Sequence, residues 1–115
     1  MAIVTDAHSK DAILQLEKTG LLSFFSCLIS FDITGKKKPA KDSFQMALET
    51  LGAGIQDSLV IGDSPRRDIE PCHGMGIRTV YARYGDRFSD DRSNVKADFI
   101  IDSMRELPGI LENLR

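Results

Sequence analysis

Short apolar runs alternate along the chain with stretches in which apolar residues recur every three or four positions, the pattern of a parallel sheet covered by helices. Ala2 to Thr5 reads as a buried strand. Ser9 or Asp11 then caps a helix through about Thr19, with Ile13, Leu14 and Leu16 on its apolar face and Gly20 at its end. Leu28 to Phe31 forms a second short strand, with Leu21, Leu22, Phe24 and Phe25 packing ahead of it. From Asp42 to Leu51 the residues Phe44, Ala47, Leu48 and Leu51 share one helical face, and Gly52 closes that helix. Leu59-Val60-Ile61, stopped by Gly62, is a continuous β-rich run, the mark of a strand buried on both sides. Asp68 to Met75 reads as a short helix ended by Gly74 and Gly76, Arg78 to Tyr81 as a fourth strand and Phe99 to Ile101 as a fifth. Met104 to Leu114 closes the chain as an amphipathic helix. Its regular part is expected to begin near Leu107, because Pro108 has no N–H to give. The polar stretch from Gly85 to Asn94 reads as a solvated loop.

Composition narrows the class without changing this outline. A chain of 115 residues, 42% hydrophobic and 28% charged, is expected to be a single α/β domain. At that size it buries roughly two thirds of its unfolded surface and needs no disulfide or structural metal. Fifteen basic against seventeen acidic residues give a formal charge of -2, with no excess to collect nucleic-acid phosphates or acidic lipids. No apolar run reaches the ~18 residues of a membrane helix, and Met1-Ala2-Ile3-Val4-Thr5-Asp6 lacks the basic and apolar regions of a signal peptide, so a soluble cytoplasmic protein is expected. Cys27 and Cys72 form no disulfide framework, and His8 and His73 have no partner at triad or metal-ligand spacing. His8 and His73 read instead as surface or capping residues.

Ligands of open parallel sheets bind beyond the carboxyl ends of the strands, so the residues there are the ones to weigh. After the first strand come Thr5 and Asp6; after the third come Gly62, Asp63 and Ser64, with Asp68 five residues beyond Asp63. Gly62 permits close backbone approach, Asp63 is a hard oxygen ligand, and Asp68 can point at the same spot. Mg²⁺ is commonly held by one or two carboxylates, with water and substrate phosphate completing its shell. The same residues would also serve as a turn in which Asp63 and Ser64 cap the following helix. Lys36-Lys37-Lys38-Pro39 precedes a helix and could bring a point charge to a phosphate, or could form a solvated basic patch. Gly52-Ala53-Gly54 and Gly74-Met75-Gly76 lack the G-x-G-x-x-G continuation of a phosphate loop and read as helix stops.

In order and spacing, Ile3-Val4-Thr5-Asp6, Lys38-Pro39 with Phe44, and Val60-Ile61-Gly62-Asp63-Ser64-Pro65-Arg66-Arg67-Asp68-Ile69 resemble the haloacid dehalogenase-like hydrolase superfamily, nearest its phosphatase and dehalogenase branches. Ala97-Asp98-Phe99-Ile100-Ile101-Asp102 extends the likeness toward the end. The resemblance implies a Rossmann-like three-layer α/β/α core with a mainly parallel sheet. It implies that Thr5 hydrogen-bonds a phosphoryl oxygen beside Asp6, that Lys38 neutralises charge on the nucleophile and the transferring group, and that Asp63 ligates Mg²⁺ with Asp68 as accessory ligand or orienter. Charge stabilisation of this kind is what phosphoryl transfer chiefly asks of a protein.

Three departures qualify the likeness. Asp6 stands where the family often has Asn, and Lys41 where a second Pro is common. The family's nucleophilic Asp, followed two residues later by an acid/base Asp, belongs on a strand ahead of Thr5, where only four residues stand; the cap domain belongs upstream as well. The chain therefore reads as the C-terminal part of one core domain without its central strand, acting on a small phosphorylated metabolite only when completed by an N-terminal half. A naturally short, non-catalytic binding or regulatory module of the same fold is the alternative. Asp32, in an Asp-x-Thr-Gly setting, is a decoy: it follows Thr5 and directly precedes Lys38-Pro39, where the family has no nucleophile. A receiver-like phosphoacceptor domain is disfavoured by the order of Lys and Thr. Loss of a central strand leaves two bare sheet edges, to be filled by direct pairing, by a strand of another chain or by self-association.

Overall fold

A computed structural model of the chain describes residues 1–5, 8–25, 27–30, 35, 41–87 and 95–114. Every strand pairing it contains is parallel. The strands form two sheets, one in each of two units, Met1–Ile55 and Gln56–Arg115.

In the first unit β1 (Ala2–Val4) pairs with β2 (Cys27–Ile29), Ala2 opposite Cys27 and Val4 opposite Ile29. Thr5 adds a step to this ladder by donating its N–H to the Ile29 carbonyl at 2.9 Å. Between the two strands runs α1 (Ser9–Thr19); after them comes α2 (Asp42–Leu51), with the bounds its periodicity sets. Helix α2 packs on both strands and buries Phe44, Ala47 and Leu48 in a core shared with Ile29. Phe44 and Leu48 each contribute roughly 1.5–3 kcal/mol by leaving water. Gly52, at φ 64, supplies the left-handed residue that ends α2 and turns its N–H back to the Glu49 carbonyl.

Two expectations for α1 are corrected. Its N-cap is His8, whose Nδ1 accepts the Lys10 N–H at 3.2 Å, rather than Ser9 or Asp11. Its covered face is set by Ala12 and Leu16, one turn apart, while Ile13 and Leu14 remain 38% and 50% exposed. Successive helical residues turn by about 100°, so a helix that covers one narrow row cannot also bury 13 and 14.

In the second unit β4 (Arg78–Ala82) lies between β3 (Leu59–Gly62) and β5 (Phe99–Ile101). Gly62 stands opposite Tyr81, and Ala82 opposite Ile101. Thr79, Val80 and Tyr81 are wholly buried, and Val80, Ala82 and Ile101 form a cluster against which Leu59, Phe99 and Ile110 pack. After β3 a π-helical turn, Pro65–Ile69, leads into α3 (Glu70–Met75), burying Ile69 and Cys72. A 3-10 turn, Met104–Glu106, leads into α4 (Leu107–Asn113), so regular helix begins at the residue that Pro108 requires. Ser103 and Glu106 form a reciprocal capping box ahead of it.

The second unit also departs from expectation in three places. Helical structure after β3 starts at Pro65 rather than Asp68, and Gly74 lies inside α3, which ends at Met75 as expected with Gly76 alone as its stop. β3 is not buried on both sides: Ile61 keeps 38% of its surface, and among the described residues β3 is an edge strand. Among the described residues β1 is hydrogen-bonded to β2 and β3 to β4. No helix among the described residues is long and apolar enough to cross a membrane.

Candidate functional site

In the second unit the strands run parallel and in register, so Asp63, Arg83 and Asp102 all leave the sheet at its carboxyl end. Asp63, directly after β3, is exposed; Asp68, in the π-helical turn, is buried. The turn is organised by Ser64. Its Oγ accepts the Arg67 N–H at 3.2 Å, its carbonyl accepts the Asp68 N–H at 2.9 Å, and its own N–H donates to Asp68 Oδ2 at 3.3 Å. Ser64 thus fills the capping role that the sequence left open, while Asp63 takes no part as a cap in the turn and Asp68 closes back on it.

Two glycines make room for these carboxylates. A Cβ on Gly62 would lie 2.6 Å from Asp68 Oδ2, and a Cβ on Gly85 would lie 2.7 Å from Asp63 Oδ2 and 2.8 Å from Asp63 Cβ. Both distances are inside van der Waals contact, so any side chain at either position would displace an aspartate. Sequence reasoning identified the close approach at Gly62 and missed that at Gly85, which it placed in a solvated loop. The signal available was the Tyr84-Gly85-Asp86 sequence just after a strand. Asp86 corrects the loop reading further: it is 4% exposed and accepts a short hydrogen bond from the Tyr81 hydroxyl.

Beside them, Arg83 makes a two-pronged ion pair with Asp102, Nε to Oδ1 at 2.8 Å and Nη2 to Oδ2 at 2.7 Å. The hydrogen bond from Arg83 is the first cause holding the Asp102 carboxyl below its ordinary value, and the same bond raises the guanidinium. Glu106 accepts the backbone N–H groups of Asp102 and Ser103, which fixes the backbone that carries this pair.

The donor set fits a magnesium ion in part. Asp63 and Asp68 are hard oxygen donors at a strand end, each beside a glycine that leaves room for it, and Mg²⁺ needs no more than one or two protein carboxylates. Among the described residues no group of three or more His, Cys, Asp or Glu side chains could enclose an ion, so these two would leave most of its shell to water, substrate or other protein oxygens. In the first unit Thr5 borders an open groove of about 270 Å³ lined by Ile3, Ala12, Leu16 and Leu21 among others. Asp6, Lys38 and the decoy Asp32 lie outside the described residues, as does the stretch 88–94.

These features define a parallel-sheet α/β core of Rossmann type with two aspartates at a strand end, and comparison with known proteins bears out the fold. The chain belongs to the haloacid dehalogenase-like hydrolases, whose family model matches residues 1–82. It is 33% identical to a phosphoglycolate phosphatase of Neisseria meningitidis, covering all of this chain and 48% of that protein. A HAD phosphatase from Thermococcus onnurineus superposes with a TM-score of 0.83 at 31% identity, over 96% of this chain and 49% of that one. The HAD-hydrolase YfnB of Bacillus subtilis, solved bound to magnesium, does so with a TM-score of 0.83 at 27% identity, over 96% and 47%. The chain spans about half the length of the curated relatives it matches.

Proposed function

We propose that this chain supplies the C-terminal part of the core of a Mg²⁺-dependent phosphohydrolase that works through an aspartyl-phosphate on a strand outside these 115 residues. The observation that carries this reading is the packing at the end of β3, where Gly62 and Gly85 are bare so that Asp68 and Asp63 can occupy the sheet's carboxyl edge. Family membership and the half-length match to phosphatases support it.

In this reading Asp63 and Asp68 hold the ion, whose contribution is to neutralise charge on the transferring phosphoryl group. Asp68 is the fixed member, oriented by the Ser64 N–H; Asp63 is the exposed one, turned to the solvent side where a substrate enters. Thr5, held on the end of the β1–β2 ladder by its bond to Ile29, offers its hydroxyl to a phosphoryl oxygen, with Asp6 next to it. Lys38 supplies the balancing positive charge. The substrate class is a small phosphorylated metabolite, as the names of the relatives suggest, and a cytoplasmic setting accords with it.

The test is a phosphatase assay with Mg²⁺ on the 115-residue chain, alone and mixed with a segment bearing the Asp-x-Asp strand from a phosphatase relative or from the DNA upstream of Met1. No turnover alone and turnover on mixing is the expected result. Failure of every such segment to restore activity would favour a non-catalytic module of the same fold.

A further inference from the structure

The strand β4 carries a buried polar pair that the proposed chemistry does not use. Tyr81 has no exposed surface and stands opposite Gly62, one residue before Asp63. Its hydroxyl donates to the carboxyl of Asp86, which is itself almost fully buried. Between them the chain makes a 3-10 turn, Arg83–Gly85, closed by the Asp86 N–H on the Arg83 carbonyl at 3.2 Å. The last residue of that turn is Gly85, the one whose backbone lies against the Asp63 side chain.

A buried polar pair is costly to maintain unless both members are satisfied, and a satisfied pair fixes the backbone on either side of it. Here the backbone so fixed is the wall of the Asp63 carboxylate. An exposed aspartate at a strand end would ordinarily sample several χ1 rotamers. A Cβ on Gly85 would overlap the Asp63 Cβ and Oδ2, so the Arg83–Gly85 turn borders the space in which that side chain turns and limits it.

We propose that the Tyr81–Asp86 hydrogen bond is a latch that holds the Arg83–Gly85 turn against Asp63 and selects the rotamer in which its carboxylate faces a cation. Tyr81 and Asp86 are positioning residues, acting through Gly85 and touching neither ion nor substrate. The value of this arrangement to a metal site rests on the function proposed above; the restriction of Asp63 does not.

The test uses the full 115-residue chain and two readouts. In the metal-free protein, the three-bond Hα–Hβ couplings of Asp63 report its χ1 distribution; separately, Mn²⁺ added as a probe is titrated by electron paramagnetic resonance. Tyr81→Phe and Asp86→Ala should change the Asp63 couplings from those of one rotamer to an average. They should also weaken Mn²⁺ binding by about tenfold, the usual cost of losing a partner that orients a ligand. Thr79→Val is the structural control, since it removes a buried β4 hydroxyl that bonds Asp98, opposite Val60 and away from the Gly62 end of the register. It should lower the melting point comparably while leaving the Asp63 couplings and Mn²⁺ binding unchanged. Unaltered couplings in folded Tyr81→Phe, or equal changes in Thr79→Val, would overturn the latch. Mn²⁺ binding that is the same in the wild type and Asp63→Asn would overturn the metal reading instead, with the couplings still deciding the latch.

Discussion

Gly62 shows how much of a site can depend on an atom that is not there. A methyl group at this position would overlap the Asp68 carboxylate, and Asp68 is buried and bonded to the Ser64 N–H, so it has little room to yield. Gly62→Ala should therefore destabilise the second unit by about 1–3 kcal/mol, the usual range for forcing atoms into a packed site, read as a lower urea midpoint. Arg83 and Asp102 allow a second test at this scale. Because the folded Asp102 carboxyl sits below its ordinary value of 3.8, its contribution to stability is present above that value and is lost as pH falls through the lower folded one. The difference in thermal midpoint between the wild type and Asp102→Asn should thus be constant near neutrality and vanish in acid. Asp102 is exposed and Arg83 only half-buried, so the difference should be small and should shrink further in high salt.

At the scale of elements, what could be read from the chain was what neighbours in sequence decide. Helix α2 has the bounds its periodicity and Gly52 dictate, and β5 and the start of α4 fall where local pattern puts them. The failures concern partners that pattern does not reveal. Nothing local says that α1 will cover one row and leave Ile13 and Leu14 to water; the edge position of β3 follows from the missing central strand, not from its own apolar run. Asp86 looked solvated because its neighbours are polar, and only the position of Tyr81 beneath the turn explains its burial. Of the site, the two aspartates and Gly62 were legible because a strand end, a glycine and fixed spacing are all short-range; Gly85 was not, because it reaches Asp63 from another strand. The exposed side of β3 also has a consequence in solution. With backbone groups on that edge lacking a strand partner among the described residues, the 115-residue chain should self-associate as its concentration rises in sedimentation velocity, and a peptide supplying a neighbouring strand should reverse this. A concentration-independent monomer would count against it.

For the whole molecule, the division at Ile55 and Gln56 separates two sheets of unequal strength. β1 and β2 have three residues each and a single ladder, whereas β4 is flanked on both sides and carries three wholly buried residues in succession. That asymmetry has a consequence in time. Amides of Val80 and Tyr81 can reach solvent only when β4 loses its neighbours, which requires most of Gln56–Arg115 to come apart, while the short ladder of the first unit can open by itself. In deuterated water the amides of β1 and β2 should disappear first and together, leaving a protected spectrum dominated by β4. The strand that carries Tyr81 would then be the last part of the molecule to forget its fold, and the turn it anchors would outlast the rest of the chain under any slow denaturing stress.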